Sequence, residues 1–330
     1  MHRRFAFAAT LALALLACLS AVEAQQAGKV TRVGFLYFGS REPGPGAARY
    51  AAFLEGLHEL GYIGGKDIVV EPRFAESSPE RLPALVDELL RLKVDAIVAT
   101  GSPVYHVLQR TTTTLPVVVT VTADPILEGL ATSLARPGGN FTGLTDTAAD
   151  LSPKQLELLR SVLPRLARVG VLLNPDNMSH PAQLTRLAFA SQKMGLRLVL
   201  AEAGIVSQIE PGFALLAREH AQAVVLFGDT FFAQHVREIA SVALKHRLPS
   251  AFILQDYADA GGLMSFGAPI IDNFRRAATY VDKIVKGAAP AQLPFEQPTK
   301  YALVINVKTA KTLGLMIPPT VLQRADRIVE

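Results

Sequence analysis

Polar side chains able to do chemistry recur in this chain at one kind of place, directly after a short β-forming run. Ser40 follows Val33–Phe38, and Thr100 and Ser102 close and follow Asp95–Thr100. Thr122 and Asp124 follow Val117–Val121, Asn174 and Asp176 follow Arg168–Leu173, Asp229 and Thr230 follow Ala223–Gly228, and Gln255, Asp256 and Tyr257 follow Ala251–Leu254. Open α/β sheets bind small ligands in the crevice outside the carboxyl ends of their strands, so each set converges on one sheet edge. If two such sheets face each other, both sets meet in one cleft. The chemistry on offer is recognition. Helix N-termini favour a carboxylate, and Asp124, Asp229 or Asp256 would answer an ammonium group, so a zwitterion would use both. The candidate ligand-binding set is Phe38, Ser40, Thr100, Ser102, Thr122, Asp124, Asn174, Asp229, Asp256 and Tyr257. Ser102-Pro103 and Asp124-Pro125 also have the form of a helix cap followed by proline at the first helical position, so capping and ligand contact both stay open for each. Tyr37, Phe38, Phe231, Phe232 and Tyr257 suit either apolar cleft walls or core packing.

Catalytic patterns are missing. There is no G-x-S-x-G elbow and no Walker-A loop, and Gly44-Pro45-Gly46 lacks the third glycine of a dinucleotide fingerprint. His235 and Glu238 stand at helical spacing without a further ligand, which reads as a solvated helix face rather than a metal site. No catalytic residue, cofactor or metal is expected. The formal net charge of +4 is spread over scattered residues such as Arg160, Arg186, Lys245 and Arg275, not gathered in the basic face with stacking aromatics that nucleic acid requires.

The elements that must position these residues alternate. Strands at 33–38, 67–74, 95–100 and 117–121 are separated by helices at 47–60, 78–90 and 104–110, and a short helix is expected after Asp124-Pro125. The pattern then restarts, with strands at 168–173, 197–201, 223–228 and 251–254 and helices at 153–163, 181–194, 211–220 and 231–245. Such alternation is the pattern of a parallel, doubly wound sheet. With 330 residues, 50% hydrophobic and 19% charged, the chain has material for two lobes. The fold class expected is α/β, with two doubly wound parallel-sheet lobes joined by a multi-strand hinge. The first lobe is assigned to 30–143 plus about 268–290, and the second to 146–266 plus about 298–330. Hinge crossings are placed near 140–146, 266–271 and 290–300, which puts the helix from Asp272 on the first lobe and the strand Tyr301–Asn306 in the second.

Residues 1–24 read as a signal peptide. Arg3-Arg4 precede the apolar run Phe5–Leu19, and Val22-Glu23-Ala24 places small residues at the cleavage positions. The run is short for a membrane span. Leu15-Leu16-Ala17-Cys18 also resembles a lipobox, so cleavage after Ala24 and lipid anchoring at Cys18 both stand. Cys18 is the one cysteine, so cleavage after Ala24 would exclude disulfides and thiolate chemistry. A periplasmic location follows, with lipid anchoring as the alternative.

Four blocks in order carry a resemblance. They are VTADPILEGLATSLARPGGNFTGLT (121–145), RVGVLLNPDN (168–177), YADAGGLMSFG (257–267) and FEQPTKYALVINVKTAKTLGLMIPP (295–319). Together they resemble the substrate-binding proteins of ABC transporters, in the uncharacterised periplasmic-component family related to tryptophan/tyrosine-type binders. The resemblance covers nearly the whole mature chain. It implies a type I periplasmic-binding clamshell without catalysis. It also implies delivery of a captured solute to a membrane permease driven by a separate ATPase subunit. The strand-end chemistry above suggests a small polar solute, an amino acid or a related compound, and a monomer is expected. Membrane association would run only through that permease or a lipidated Cys18. A ligand-binding sensor module for a signalling receptor is the alternative reading, followed by an exported α/β enzyme.

Overall fold

The computed structural model describes residues 30–42, 45–146 and 148–330. The signal-peptide and Cys18 readings therefore lie outside the described residues. Among the described residues no helix is long and apolar enough to cross a membrane.

The first sheet is built from β1 (Thr31–Tyr37), β2 (Ile68–Phe74), β3 (Ala96–Thr100), β4 (Val117–Val119) and β5 (Phe141–Gly143) in the order β2-β1-β3-β4-β5. All its pairings are parallel, with Val33 opposite both Val70 and Ala96, and Val117 opposite Phe141. β1 and β3 are apolar almost throughout because both faces of a central parallel strand are covered. The covering helices are α1 (Gly46–Glu59), α2 (Leu82–Arg91) and α3 (Ser102–Thr111).

The second sheet runs β12-β11-β10-β9-β8-β6-β7. Its strands are β6 (Arg168–Leu173), β7 (Arg197–Glu202), β8 (Ala223–Leu226), β9 (Ser250–Phe252), β10 (Met264–Gly267), β11 (Ala302–Asn306) and β12 (Arg327–Val329). It is parallel except where β11 returns antiparallel to β10. Its larger helices are α4 (Ala148–Val162), α5 (His180–Lys193), α6 (Val206–Arg218), α7 (Thr230–Gln234) and α8 (Val236–Lys245), followed by the single turn α9 (Asp256–Asp259). The helix α10 (Ile270–Val285) packs on α1 of the first lobe. Gly56 allows this, since a Cβ there would stand 2.2 Å from the Arg275 carbonyl oxygen. Beneath them Phe35, Tyr37, Phe53 and Phe274 form one aromatic cluster. The chain ends with α11 (Val307–Leu313), α12 (Pro319–Leu322) and β12.

Several elements differ from the sequence expectation. The helix expected after Asp124-Pro125 is a single capped turn. The Asp124 carboxylate accepts from the Ile126 and Leu127 amides, but Gly129 takes φ +68° and the Leu130 and Ala131 amides both turn back to the Pro125 carbonyl, which ends the coil. The expected helix 231–245 is broken at His235 into α7 and α8. α4 and α6 begin N-terminal to Pro153 and Pro211, the residues expected to open them. Residues 141–143, at the end of the first-lobe assignment and the start of the expected crossing, form the edge strand β5, which is not among the expected strands.

The chain passes between the sheets after β5, after β10 and before β11. The first and last passages lie side by side, the Thr145 amide donating to the Glu296 carbonyl and the Glu296 amide to the Gly143 carbonyl, both at 2.9 Å. The Asn273 side-chain amide holds this region to the first sheet through the Thr120 and Thr145 carbonyls.

Candidate functional site: the cavity between the lobes

The strand ends of the two sheets face each other across a cleft open to solvent at its mouth, with an enclosed volume of about 50 Å³. The first lobe contributes Thr100, Gly101 and Ser102 from the turn between β3 and α3, and Val121, Thr122 and Ala123 after β4. The second contributes Asn177 and Ser179 after β6, Gly228, Asp229 and Thr230 after β8, and Ile253 and Leu254 after β9. Arg49 of α1, Glu128, Asp146, Ala233 and Ile270 complete the walls. The site follows from parallel topology, because every strand of a βα unit delivers its following turn to the same edge.

On the second lobe the polar groups are tied to one another. One oxygen of the Asp229 carboxylate caps α7 by accepting from the Phe231 and Phe232 amides at 2.7 and 3.2 Å. The other accepts from the side-chain amides of Asn177 at 2.7 Å and Asn174 at 3.3 Å. His180 lies buried behind them. Its Nδ1 accepts from the Asn174 amide, so Nε2 carries the proton and donates to the Gly228 carbonyl. Burial lowers the His180 pKa, with the Asp229 charge acting in the opposite direction.

Two ionisable side chains of the first lobe's wall, Glu128 and Arg49, stand without an ion-pair partner among the described residues. Glu128 is 6% exposed. Its Oε1 accepts from the Thr122 hydroxyl at 3.0 Å, and its Oε2 has no hydrogen-bond partner. Burial raises its pKa to about 7; the charges of Asp146 and Asp124 add to the rise, while the Thr122 and Ser102 hydroxyls oppose it. Arg49 is also 6% exposed. Its guanidinium donates to the Tyr37 hydroxyl and lies 5.6 Å from the ring centres of both Tyr37 and Phe274. Among the described residues no carboxylate lies within ion-pair distance of it. Burial raises the Tyr37 pKa, against the Arg49 charge.

The lobes also touch directly. The Gln234 side chain donates to the Tyr37 hydroxyl and accepts from the Ser40 amide at 3.4 Å. On the other side of the cleft Arg186 of α5 lies 3.7 Å from the Asp124 carboxylate.

Of the residues proposed from sequence, Thr100, Ser102, Thr122 and Asp229 line this cavity. Thr100 spends its hydroxyl on Thr120 at 2.6 Å. Phe38 and Asn174 line an adjoining recess with Asp176 and Phe231. Asp256 borders a second recess with Pro45, Arg49 and Ile270. Ser40 meets Gln234 through its backbone. Asp124 caps the turn after it and faces Arg186, outside the cavity wall. Tyr257 is placed elsewhere. It is fully buried in the second lobe, edge-on to Phe252, with its hydroxyl on Ser250 at 2.6 Å. Phe232 is likewise core, whereas Phe231 borders the adjoining recess. Sequence reasoning passed over Arg49, Glu128 and Asp146. Arg49 and Glu128 interrupt otherwise apolar or small-residue stretches, YAAF after Arg49 and PIL before Glu128, and that interruption was the available signal. Among the described residues no cluster of His, Cys, Asp and Glu could hold a metal ion.

The family model of the ABC transporter substrate binding protein matches residues 44–329. A tyrosine-binding protein of Clostridioides difficile (strain R20291) is 21% identical over 263 residues, spanning 80% of this chain and 75% of the relative. The crystal structure of a conserved domain protein from Vibrio cholerae superposes with a TM-score of 0.85 at 26% identity, over 91% of this chain and 100% of the other. That of an ABC domain from Streptococcus pneumonia in complex with L-Trp superposes with a TM-score of 0.84 at 24% identity, with the same coverage. The two-lobed α/β architecture, the strand-end cavity and the match along almost the whole described chain agree: this chain belongs to the ABC transporter substrate binding protein family.

Proposed function

We propose that this protein captures a small polar solute, an amino acid or a related compound, between its two lobes and hands it to a membrane permease powered by a separate ATPase. Residues 1–24 would direct export to the periplasm, with Cys18 as the alternative point of lipid attachment. The three passages between the sheets would act as the hinge. The carrying observation is the cavity itself, whose walls come from the strand ends of both sheets, so that a solute held there contacts both lobes at once. A ligand shifts an open–closed equilibrium only through contacts it makes differently in the two states. A site divided between lobes meets that condition. Apolar Val121, Ala123, Ile253, Leu254 and Ile270 beside polar Ser102, Thr122 and Thr230 suit a molecule with a charged head and an apolar side chain. The tyrosine-binding relative and the neighbour solved with L-Trp support the amino-acid class.

The test is mass spectrometry of solute released from gently purified protein, followed by thermal shift against free L-amino acids. A cognate amino acid at about a hundred times its Kd stabilises by about 2.7 kcal/mol. A panel in which no amino acid raises the melting temperature overturns the reading.

A further inference from the structure

The cavity wall holds two buried ionisable side chains of opposite type, Arg49 and Glu128, and neither has an ion-pair partner among the described residues. Arg49 has a tyrosine hydroxyl and two aromatic faces for partners but no carboxylate. Glu128 has one oxygen on Thr122 and the other unsatisfied. A buried charge without a counter-charge is costly unless something else completes it. The other acids near the cleft are already occupied. Asp229 accepts four hydrogen bonds from the protein, and Asp124 caps its turn and faces Arg186.

We propose that Glu128 binds the ammonium group of the captured solute and Arg49 its carboxylate, so that the pair selects a free α-amino acid over the matching amine or acid. This inference rests on the amino-acid reading above and adds the recognising residues and a proton. Glu128 is held in position from behind, where the Gln109 side-chain amide donates to the Glu128 and Gly129 carbonyls and ties the turn to α3. The Glu128 carboxylate faces Asp146 and Asp124, Tyr105 of α3, and the hydroxyls of Ser102 and Thr122; Arg49 of α1 and Asp229 of the second lobe line the same cavity. An ammonium group favours the ionised form of Glu128. At pH below about 7, capture therefore releases a proton from Glu128 to solvent, and affinity rises as pH is raised through that value.

The experiment is titration calorimetry of the mature protein with three matched sets. They are L-tryptophan, tryptamine and indole-3-propionate; L-tyrosine, tyramine and 3-(4-hydroxyphenyl)propionate; and L-leucine, 3-methylbutylamine and 4-methylpentanoate. In the set that binds, the amino acid should exceed both fragments by about tenfold or more. Glu128→Gln should lower amino-acid and amine affinity about tenfold or more while leaving the acid's affinity unchanged. The unmodified protein, titrated slightly below neutral pH in buffers of different ionisation enthalpy, should release a proton on binding the amino acid. That readout needs no variant to fold. An amino acid that binds Glu128→Gln as tightly as the unmodified chain, or a deaminated acid that binds as tightly as its amino acid, overturns the role of Glu128 and leaves amino-acid capture standing. Failure of all three amino acids to bind, and of every other member of the panel above, overturns both.

Discussion

The Gln234 side-chain amide of the second lobe donates to the Tyr37 hydroxyl of the first across 2.7 Å. Tyr37 is the last residue of β1 and Gln234 the last of α7, so one hydrogen bond joins a strand end to a helix end across the cleft. The helix break at His235 lies directly after it, which makes the break part of how the lobes meet. Gly39 gives the side chain its space, since a Cβ there would stand 2.1 Å from Gln234 Nε2 and 2.8 Å from its Cγ.

Gln234→Ala should therefore weaken solute binding about fivefold, the worth of one neutral hydrogen bond, and should leave the melting temperature of the free protein nearly unchanged. Gly39→Val should weaken binding by more, because the inserted branch forces Gln234 out of its seat. Combining Gly39→Val with Gln234→Ala should restore part of the loss. Calorimetry on the single and double variants measures this, and strictly additive losses would show that Gly39 acts through something other than Gln234.

Asp229→Ala removes a helix cap and two side-chain hydrogen bonds from the Asn174–Asn177 network. Loss of the cap alone should cost about 1 kcal/mol, and the freed asparagine amides add to it. Asp229→Asn keeps an oxygen for the cap but turns an amide toward Asn177, so it should recover only part of the stability. Urea denaturation of the three proteins checks the order.

Glu128 also governs stability against pH. Its carboxyl titrates at about 7 in the folded protein against 4.5 as the ordinary value. Between these values the folded chain keeps a proton that the unfolded chain has released, so stability falls as pH rises through the window. Above it the ionised group costs at most about 3 kcal/mol. Glu128→Gln should thus stabilise the free protein at mildly alkaline pH and change little in mild acid. Denaturation curves at the two pH values decide it, and an equal effect at both would mean that the charge is not the cause. Greater stability with weaker amino-acid binding is the pairing expected of a residue kept for its ligand.

His180 has the opposite sign. Burial lowers its folded pKa below the ordinary 6.5, so its contribution to stability is full above about pH 6.5 and declines as pH falls toward the folded value. Circular dichroism melts should show an acid-side loss that is smaller in His180→Gln, whose amide can still donate to Gly228. An identical acid slope in both proteins would remove His180 as its source.

Local sequence determined the elements and their order. Apolar runs such as Val33–Tyr37 and Ala96–Ala99 are buried on both faces, which only a covered parallel strand explains, and each hands its polar successor to the same edge. That rule reached Thr100, Ser102, Thr122 and Asp229. It failed at Tyr257, because a residue just past a strand end is equally well placed to turn into the core, and there Ser250 satisfies its hydroxyl. It was silent on Arg49 and Glu128. One lies in the first turn of α1 and the other at the end of a turn fixed by the Asp124 cap, Gly129 and Gln109, so neither directly follows a strand. Whether a carboxylate is solvated, capping or stranded depends on what packs around it from distant parts of the chain. Tertiary structure alone decided that Asp124 and Asp229 are satisfied by the protein while Glu128 is left with an oxygen to spare.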